Sequence, residues 1–159
     1  MGDCGAKWSG VEAQLLLVGE YEHTIDEKHR LTLPAKFRQA FADGIIVTRG
    51  LDGCLFAYRR EDWARSIESR LAALDPLGEA GRRLRRFFFG GAAETELDRQ
   101  GRVMLPAHLI EHAKLEREVV VVGIQDHLEI WDRAAWRREL DRIEGSAEDV
   151  AERLAAQHD

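Results

Sequence analysis

A ten-residue pattern occurs twice in the chain. Residues 26–35 read D-E-K-H-R-L-T-L-P-A and residues 98–107 read D-R-Q-G-R-V-M-L-P-A, so Asp26, Arg30, Leu33, Pro34 and Ala35 recur as Asp98, Arg102, Leu105, Pro106 and Ala107, an offset of 72. A repeat with this period constrains the fold before any single residue does, because one copy cannot bury its own apolar face.

Each copy spells a sequence of elements. Leu16 to Ile25 suits a strand, with Gly19 at a bulge or close backbone approach. Asp26 to His29 is a polar turn, and Arg30 to Leu33 alternates again, which makes a hairpin. Pro34 ends the strand and opens a short helix over 35–41. Ile45 to Thr48 is a continuous apolar run of the buried-strand type, 50–53 a turn, and Leu55 to Tyr58 the returning strand. Trp63, Ile67, Leu71 and Leu74 then share one helical face. Asp75-Pro76 breaks that helix. Residues 77–88 read as helix with Leu77, Leu84 and Phe88 inside and Arg82, Arg83, Arg85 and Arg86 flanking. From Gly91 the programme restarts: Val119 to Val122 answers the Ile45 run, Gly123 answers Gly50, and Trp136 answers Trp63 at offset 73, which implies one inserted residue. The S-A-E-D of Ser146 to Asp149 has capping-box form and predicts a separate last helix starting there.

The expected division is an N-terminal extension over 1–15, a first unit over 20–62, linking helices over 63–90, a second unit over 91–134 and C-terminal helices over 135–159. The fold class is α+β. Two copies interleaving their strands would cover each other's bare faces and give a closed barrel with pseudo-twofold symmetry.

Composition narrows the function. The net charge of -6 argues against a uniformly basic coat for nucleic acid but allows a local basic site. All but four of the 23 basic residues are Arg, which suits bidentate contacts to phosphate or guanine. The two cysteines, Cys4 and Cys54, stand apart from any CxxC pattern, which fits a reducing cytoplasm and leaves no Cys-rich zinc site. No apolar run reaches the length of a membrane span. No phosphate-binding Gly-rich loop and no G-x-S-x-G elbow occurs, and no cofactor is implied.

In D-x-x-x-R, the Asp opens the turn and accepts backbone N–H bonds across it. Gly101 supplies positive φ at the position before Arg102; His29 stands there in the first copy, and His tolerates that conformation less well than Gly. An Arg held at the tip of a stiff hairpin, beside Lys28 or Arg99, suits phosphate contact or reading of guanine in the major groove. Asp and Arg four apart can also pair simply to fix the hairpin, and the two roles can coexist.

The segments E-Y-E-H-T-I-D-E-K-H-R-L-T-L-P-A-K-F-R (20–38), T-R-G-L-D-G-C-L (48–55), F-F-F-G-G-A (87–92) and D-R-Q-G-R-V-M-L-P (98–106), in order over residues 16–145, resemble the MraZ family of bacterial transcriptional regulators. The resemblance implies two SpoVT/AbrB-type domains, a double-split, swapped-hairpin barrel and a ring of subunits. It also implies a double-stranded DNA partner: short spaced repeats upstream of the division and cell-wall gene cluster, the protein's own gene included, which it would repress as a nucleoid-associated protein. Carried over by position, the DNA-binding candidates are Lys28, His29 and Arg30, with Arg102 in the second turn; Asp26, Asp98 and Gly101 organise the turns.

Two readings from other classes compete. The same barrel serves antitoxin-like protein-interaction modules, although those carry one half and a disordered tail. His108, Glu111 and His112 spell the H-x-x-E-H of a zinc hydrolase, with two His on one helical face. Phe87 to Phe89 and the Trp63/Trp136 pair could stack bases but fit core packing better.

Overall fold

The computed structural model describes residues 16–157; the expected extension over 1–15 lies outside them. The elements are β1 (Leu17–Thr24), β2 (Arg30–Thr32), α1 (Ala35–Arg38) running into a 3-10 turn (Gln39–Phe41), β3 (Ile45–Arg49) and β4 (Leu55–Tyr58). A helical rod follows, α2 (Arg60–Trp63), a π segment (Ala64–Glu68) and α3 (Ser69–Ala72), and then α4 (Glu79–Gly91). The second half supplies β5 (Ala93–Thr95), β6 (Arg102–Met104), α5 (Ala107–His112), β7 (Glu118–Gln125), β8 (Leu128–Asp132) and α6 (Arg133–Gln157).

Six strands form one antiparallel sheet in the order β1-β7-β8-β4-β3-β5, and β2 pairs with β6 in a separate ribbon. Exchanging each strand for its repeat partner leaves that order unchanged. The halves are therefore interleaved: β1 lies on β7 of the other half, and β5 on β3. Closure into a barrel is not found. The sheet is open, with β1 and β5 at its edges, and a single Ile25–Leu31 bridge links β1 towards the ribbon. The reason lies in the repeated Leu-Pro: Pro34 and Pro106 have no N–H to donate, so β2 and β6 stop after three residues and pair only with each other.

Both faces of the sheet are covered, which is why β3 and β7 are apolar without alternation. One face carries Val47, Leu55, Ala57, Val119, Val121, Leu128 and Ile130 against Leu31, Leu33, Phe37, Val103, Leu105 and Leu109 from the ribbon and short helices. On the other, Ile46 and Tyr58 meet Trp63, Ile67, Leu71 and Phe88, while Val120, Val122 and Trp131 meet Trp136. The aromatics are core, not stacking platforms.

Register locates the spacing change between the copies. Ala93 pairs with Val47 and its repeat mate Tyr21 pairs with Val121, so β3 and β7 are related by an offset of 74 rather than 73. Two residues are inserted before β7, and one is lost in the β7–β8 turn. At the edge of the sheet Gly19, at φ 100, faces Gly123, where an added Cβ would come within 2.4 Å of the Val18 nitrogen.

Three local expectations fail. Of the three residues expected inside, Phe88 is buried but Leu77 and Leu84 are 86% and 39% exposed, since α4 begins only at Glu79. The strand expected from Gly91 is only three residues, Ala93–Thr95, with α4 still running at Gly91. No helix starts at Ser146: α6 is continuous from Arg133, and the Ser146 hydroxyl donates back to the Arg142 carbonyl at 2.6 Å instead of capping. Among the described residues, no helix is long and apolar enough to cross a membrane.

The β7–β8 turn buries a titratable group. Burial alone would lower the pKa of His127, but the Glu129 and Asp126 carboxylates outweigh it and hold the imidazole above its ordinary value. Its Nδ1 lies 2.7 Å from Asp126, which also accepts from Ser66 of the π segment at 2.9 Å. A raised folded-state pKa stabilises fully below the unfolded value of about 6.5 and is lost as pH rises through the folded value. Urea unfolding of the wild type should therefore show lower stability at about pH 9 than at about pH 6, and His127→Gln should flatten that difference. A variant with an unchanged pH dependence contradicts the assignment.

Candidate functional site

The two Asp-Arg turns share one geometry. In the first, Asp26 Oδ1 accepts the backbone N–H groups of Lys28 and Arg30, both at 2.9 Å, and Oδ2 accepts from Arg30 Nε at 2.7 Å. In the second, Asp98 accepts from Gln100 and Arg102 at the same 2.9 Å, and from Arg102 Nε at 2.7 Å. The carboxylate thus closes the turn and holds the guanidinium by Nε, leaving the terminal amino groups without a hydrogen-bond partner among the described residues. Both carboxyls are held below their ordinary pKa, chiefly by the N–H of the Arg four residues on, against a partial desolvation, with the guanidinium and the second N–H adding to it. The ion pair therefore survives well below neutral pH. Pairing to fix the hairpin and presenting an Arg coexist.

The turns also hold each other. Leu33, before the first proline, donates its N–H to the Gly101 carbonyl at 2.9 Å, and Leu105 donates to the His29 carbonyl at 2.9 Å. Each apex is tied down by the strand that leaves the other.

His29 and Gly101 occupy the same left-handed conformation, with φ of 61° and 76°. The first turn keeps the shape of the second at a cost of about 1 kcal/mol for a residue bearing a Cβ. A Cβ at 101 would in addition lie 2.4 Å from Arg38 Cδ, so the Arg38 side chain would have to shift.

Exposure does not separate the two arginines, at 27% for Arg30 and 25% for Arg102. Their surroundings do. Arg38 lies across the second turn, donating from Nε to the Leu33 carbonyl at 3.1 Å and burying Gly101. The matching position of the second copy is Ile110, which carries no charge to lay across the first turn. There Lys28 and His29 are exposed, and Asp26 to Arg30 form one wall of an open groove whose other wall includes Ile110, Glu116 and Arg117. The second turn still presents Arg99 and Gln100 at the surface. Arg117 was not legible as a neighbour of Arg30, being far away in sequence; the one available signal is the change of offset just before β7, which marks its loop as different.

The H-x-x-E-H reading is overturned. His108 Nε2 donates to the Gly91 carbonyl at 3.0 Å and His112 Nε2 to the Gly50 carbonyl at 3.1 Å, so the two rings serve different backbone partners. No group of three metal-ligating side chains occurs among the described residues. In the cluster on α4, Arg83 pairs with Glu79 at 2.6 Å, and Arg82 and Arg85 donate to the Leu77 and Leu71 carbonyls. Those arginines cap and brace the helix. Cys54 is buried and its thiol pKa is pushed up by burial, so it is no nucleophile.

The family model described as "MraZ protein, putative antitoxin-like" matches the chain twice, over residues 16–86 and 88–157. The transcriptional regulator MraZ of Heliobacterium modesticaldum is 46% identical over 139 residues, covering 87% of this chain and 96% of that protein. The proteins of the same name from Thermoanaerobacter sp. and Caldanaerobacter subterraneus are 43% and 42% identical over the same 87% and 96%.

The shared turn geometry makes opposite substitutions informative. His29→Gly should raise the unfolding free energy by about 1 kcal/mol, while Gly101→Ala should lower it by about 2 kcal/mol through strain and the clash with Arg38. Urea unfolding checks both; a destabilised His29→Gly protein contradicts the strained-turn account.

Proposed function

The chain belongs to the MraZ family, and on that premise we propose that it is a transcription regulator, not an enzyme, that reads double-stranded DNA through its first Asp-Arg turn. The observation that carries the reading is the open groove at that turn. Lys28, His29 and Arg30 stand on a hairpin stiffened by Asp26, next to Arg117, whereas the second turn lies under Arg38. A two-stranded tip of this width fits the major groove, where a guanidinium with free amino groups bonds guanine in bidentate fashion. The second turn, with Arg102, mainly completes the fold.

The regulated site is a set of short spaced repeats upstream of the division and cell-wall gene cluster, its own gene included, with repression as the outcome and the nucleoid as the location in the cytoplasm. The strand order, symmetric between the halves, supports a swapped-hairpin fold of the AbrB type. A ring of subunits supplies what one turn lacks, since two or three cations bind DNA weakly and several linked turns multiply the affinity by effective concentration. The end of α6 supports such assembly: Leu140, Ile143, Ala147, Val150 and Leu154 follow one another at steps of three and four, and Ile143, Val150 and Leu154 are 43%, 42% and 53% exposed. That is a seam for another helix.

The same seam, with the antitoxin-like wording of the family description, is what favours the second reading, a module that binds a different protein through α6.

The test is a binding titration on the duplex upstream of its own gene and on fragments carrying one part of it. Wild type should bind the full duplex at least tenfold more tightly than any fragment. Arg30→Ala should abolish the preference for this duplex over a shuffled one while unfolding at nearly the wild-type urea concentration. An Arg30→Ala protein that binds as tightly and selectively as wild type at physiological salt sinks the reading.

A further inference from the structure

The groove beside the first turn is continued by a second one. Both are lined by Glu116 and Arg117, and the second adds Lys114, Arg133, Arg137 and Arg138. Lys114, Arg117, Arg137 and Arg138 are all exposed, and none of them forms an ion pair or side-chain hydrogen bond among the described residues. The anions in between are largely occupied. Glu118 pairs with Arg133 at 3.2 Å, and Asp132 accepts the Ala135 N–H at the start of α6 at 3.1 Å. Glu116 and Asp132 have no cation partner among the described residues, against four free cations.

The repeat provides an internal control. Arg133 has its counterpart in Arg60, and each pairs with the matching edge-strand residue, Glu22 for the one and Glu94 for the other. None of the free cations has an unpaired cation as its counterpart. Five residues, Lys114 to Glu118, separate Ala113 from Val119, where the first copy has only Ala42, Asp43 and Gly44 between Phe41 and Ile45. The two-residue insertion is the segment that brings Lys114 and Arg117 to the surface. Arg137 answers Ala64, and Arg138 answers Arg65, which is bound to Asp62. Among the described residues, the repeat-matched positions at the other end, Ala42 to Gly44, Ala64 and the paired Arg65, offer no unpaired cation. Packing alone would treat the two ends alike.

We propose that Lys114, Arg117, Arg137 and Arg138 form a phosphate-binding strip that holds the DNA backbone next to the base pairs read by the first turn. The inference rests on the DNA-binding reading above. Contacts of this kind position the duplex and add affinity without sequence preference.

Fluorescence anisotropy with the full chain tests it, using the duplex upstream of its own gene and a shuffled duplex of equal composition, each over a range of salt. Arg117→Ala and the double variant Arg137→Ala/Arg138→Ala should weaken binding to both duplexes by the same factor, about fivefold per cation at 0.15 M salt. The slope of log affinity against log salt should fall by about 0.9 per residue removed. Arg86→Ala, an exposed cation on α4, is the control and should bind as wild type. Strip variants with wild-type affinity and slope, alongside an Arg30→Ala protein that has lost its preference, overturn the strip and leave the function standing. If Arg30→Ala keeps its preference, the function itself fails. A loss of affinity that accompanies a changed particle mass in light scattering, with the salt slope intact, assigns the strip to subunit contact and overturns it as well.

Discussion

The Asp-Arg clamp is the constraint on which the rest depends. One carboxylate closes the turn with two backbone hydrogen bonds and fixes a guanidinium with a third. An exposed pair of this kind adds little stability by itself. Its value is geometric, because the closed turn exposes the carbonyl at its apex and the other half of the chain bonds to that carbonyl. Loosening either turn removes a bond from the strand that leaves the other, so both copies must be kept even if one contacts DNA.

Interleaving follows from that cross-tie. The inner arms β2 and β6 pair with each other, and each outer arm, β1 and β5, is sent to the strand pair of the opposite half. On the ribbon face the two halves share one core, where Leu31 and Leu33 cluster with Val103, Leu105 and Leu109. The sheet is consequently buried on both faces, and the turns are carried on a rigid base. With both halves committed to one core, divergence was tolerated at the surface. The insertion before β7 and the change from Arg38 to Ile110 are where the two ends part.

Much of this was written in local sequence. The doubled D-x-x-x-R-x-x-L-P-A marked the hairpins and short helices, and the apolar runs marked β3 and β7, because turn chemistry and burial pattern act over a few residues. Pro34 and Pro106 also carried the reason the barrel stays open, but only the pairing of β2 with β6 reveals it. What depended on distant contacts was not legible. Leu84 has the right spacing to be internal, yet Phe88 and its neighbours fill the available space. Ser146 has capping form, but the helix was already under way from Asp132 and had no free N–H groups there to satisfy. The cover of Arg38 over Gly101 joins residues 63 apart, and the place of Arg117 beside Arg30 joins residues from different copies. His29 in place of Gly pointed to a slightly strained turn, and it is held in the left-handed conformation that Gly101 takes.

The central claim is that two turns of equal geometry have unequal roles. Hydrogen-exchange mass spectrometry of the full chain, with and without the duplex upstream of its gene, tests this most directly. DNA should slow exchange in peptides spanning residues 26–30 and 114–117 and leave 98–102 unchanged. Equal protection of both turns, or protection of the second alone, contradicts it.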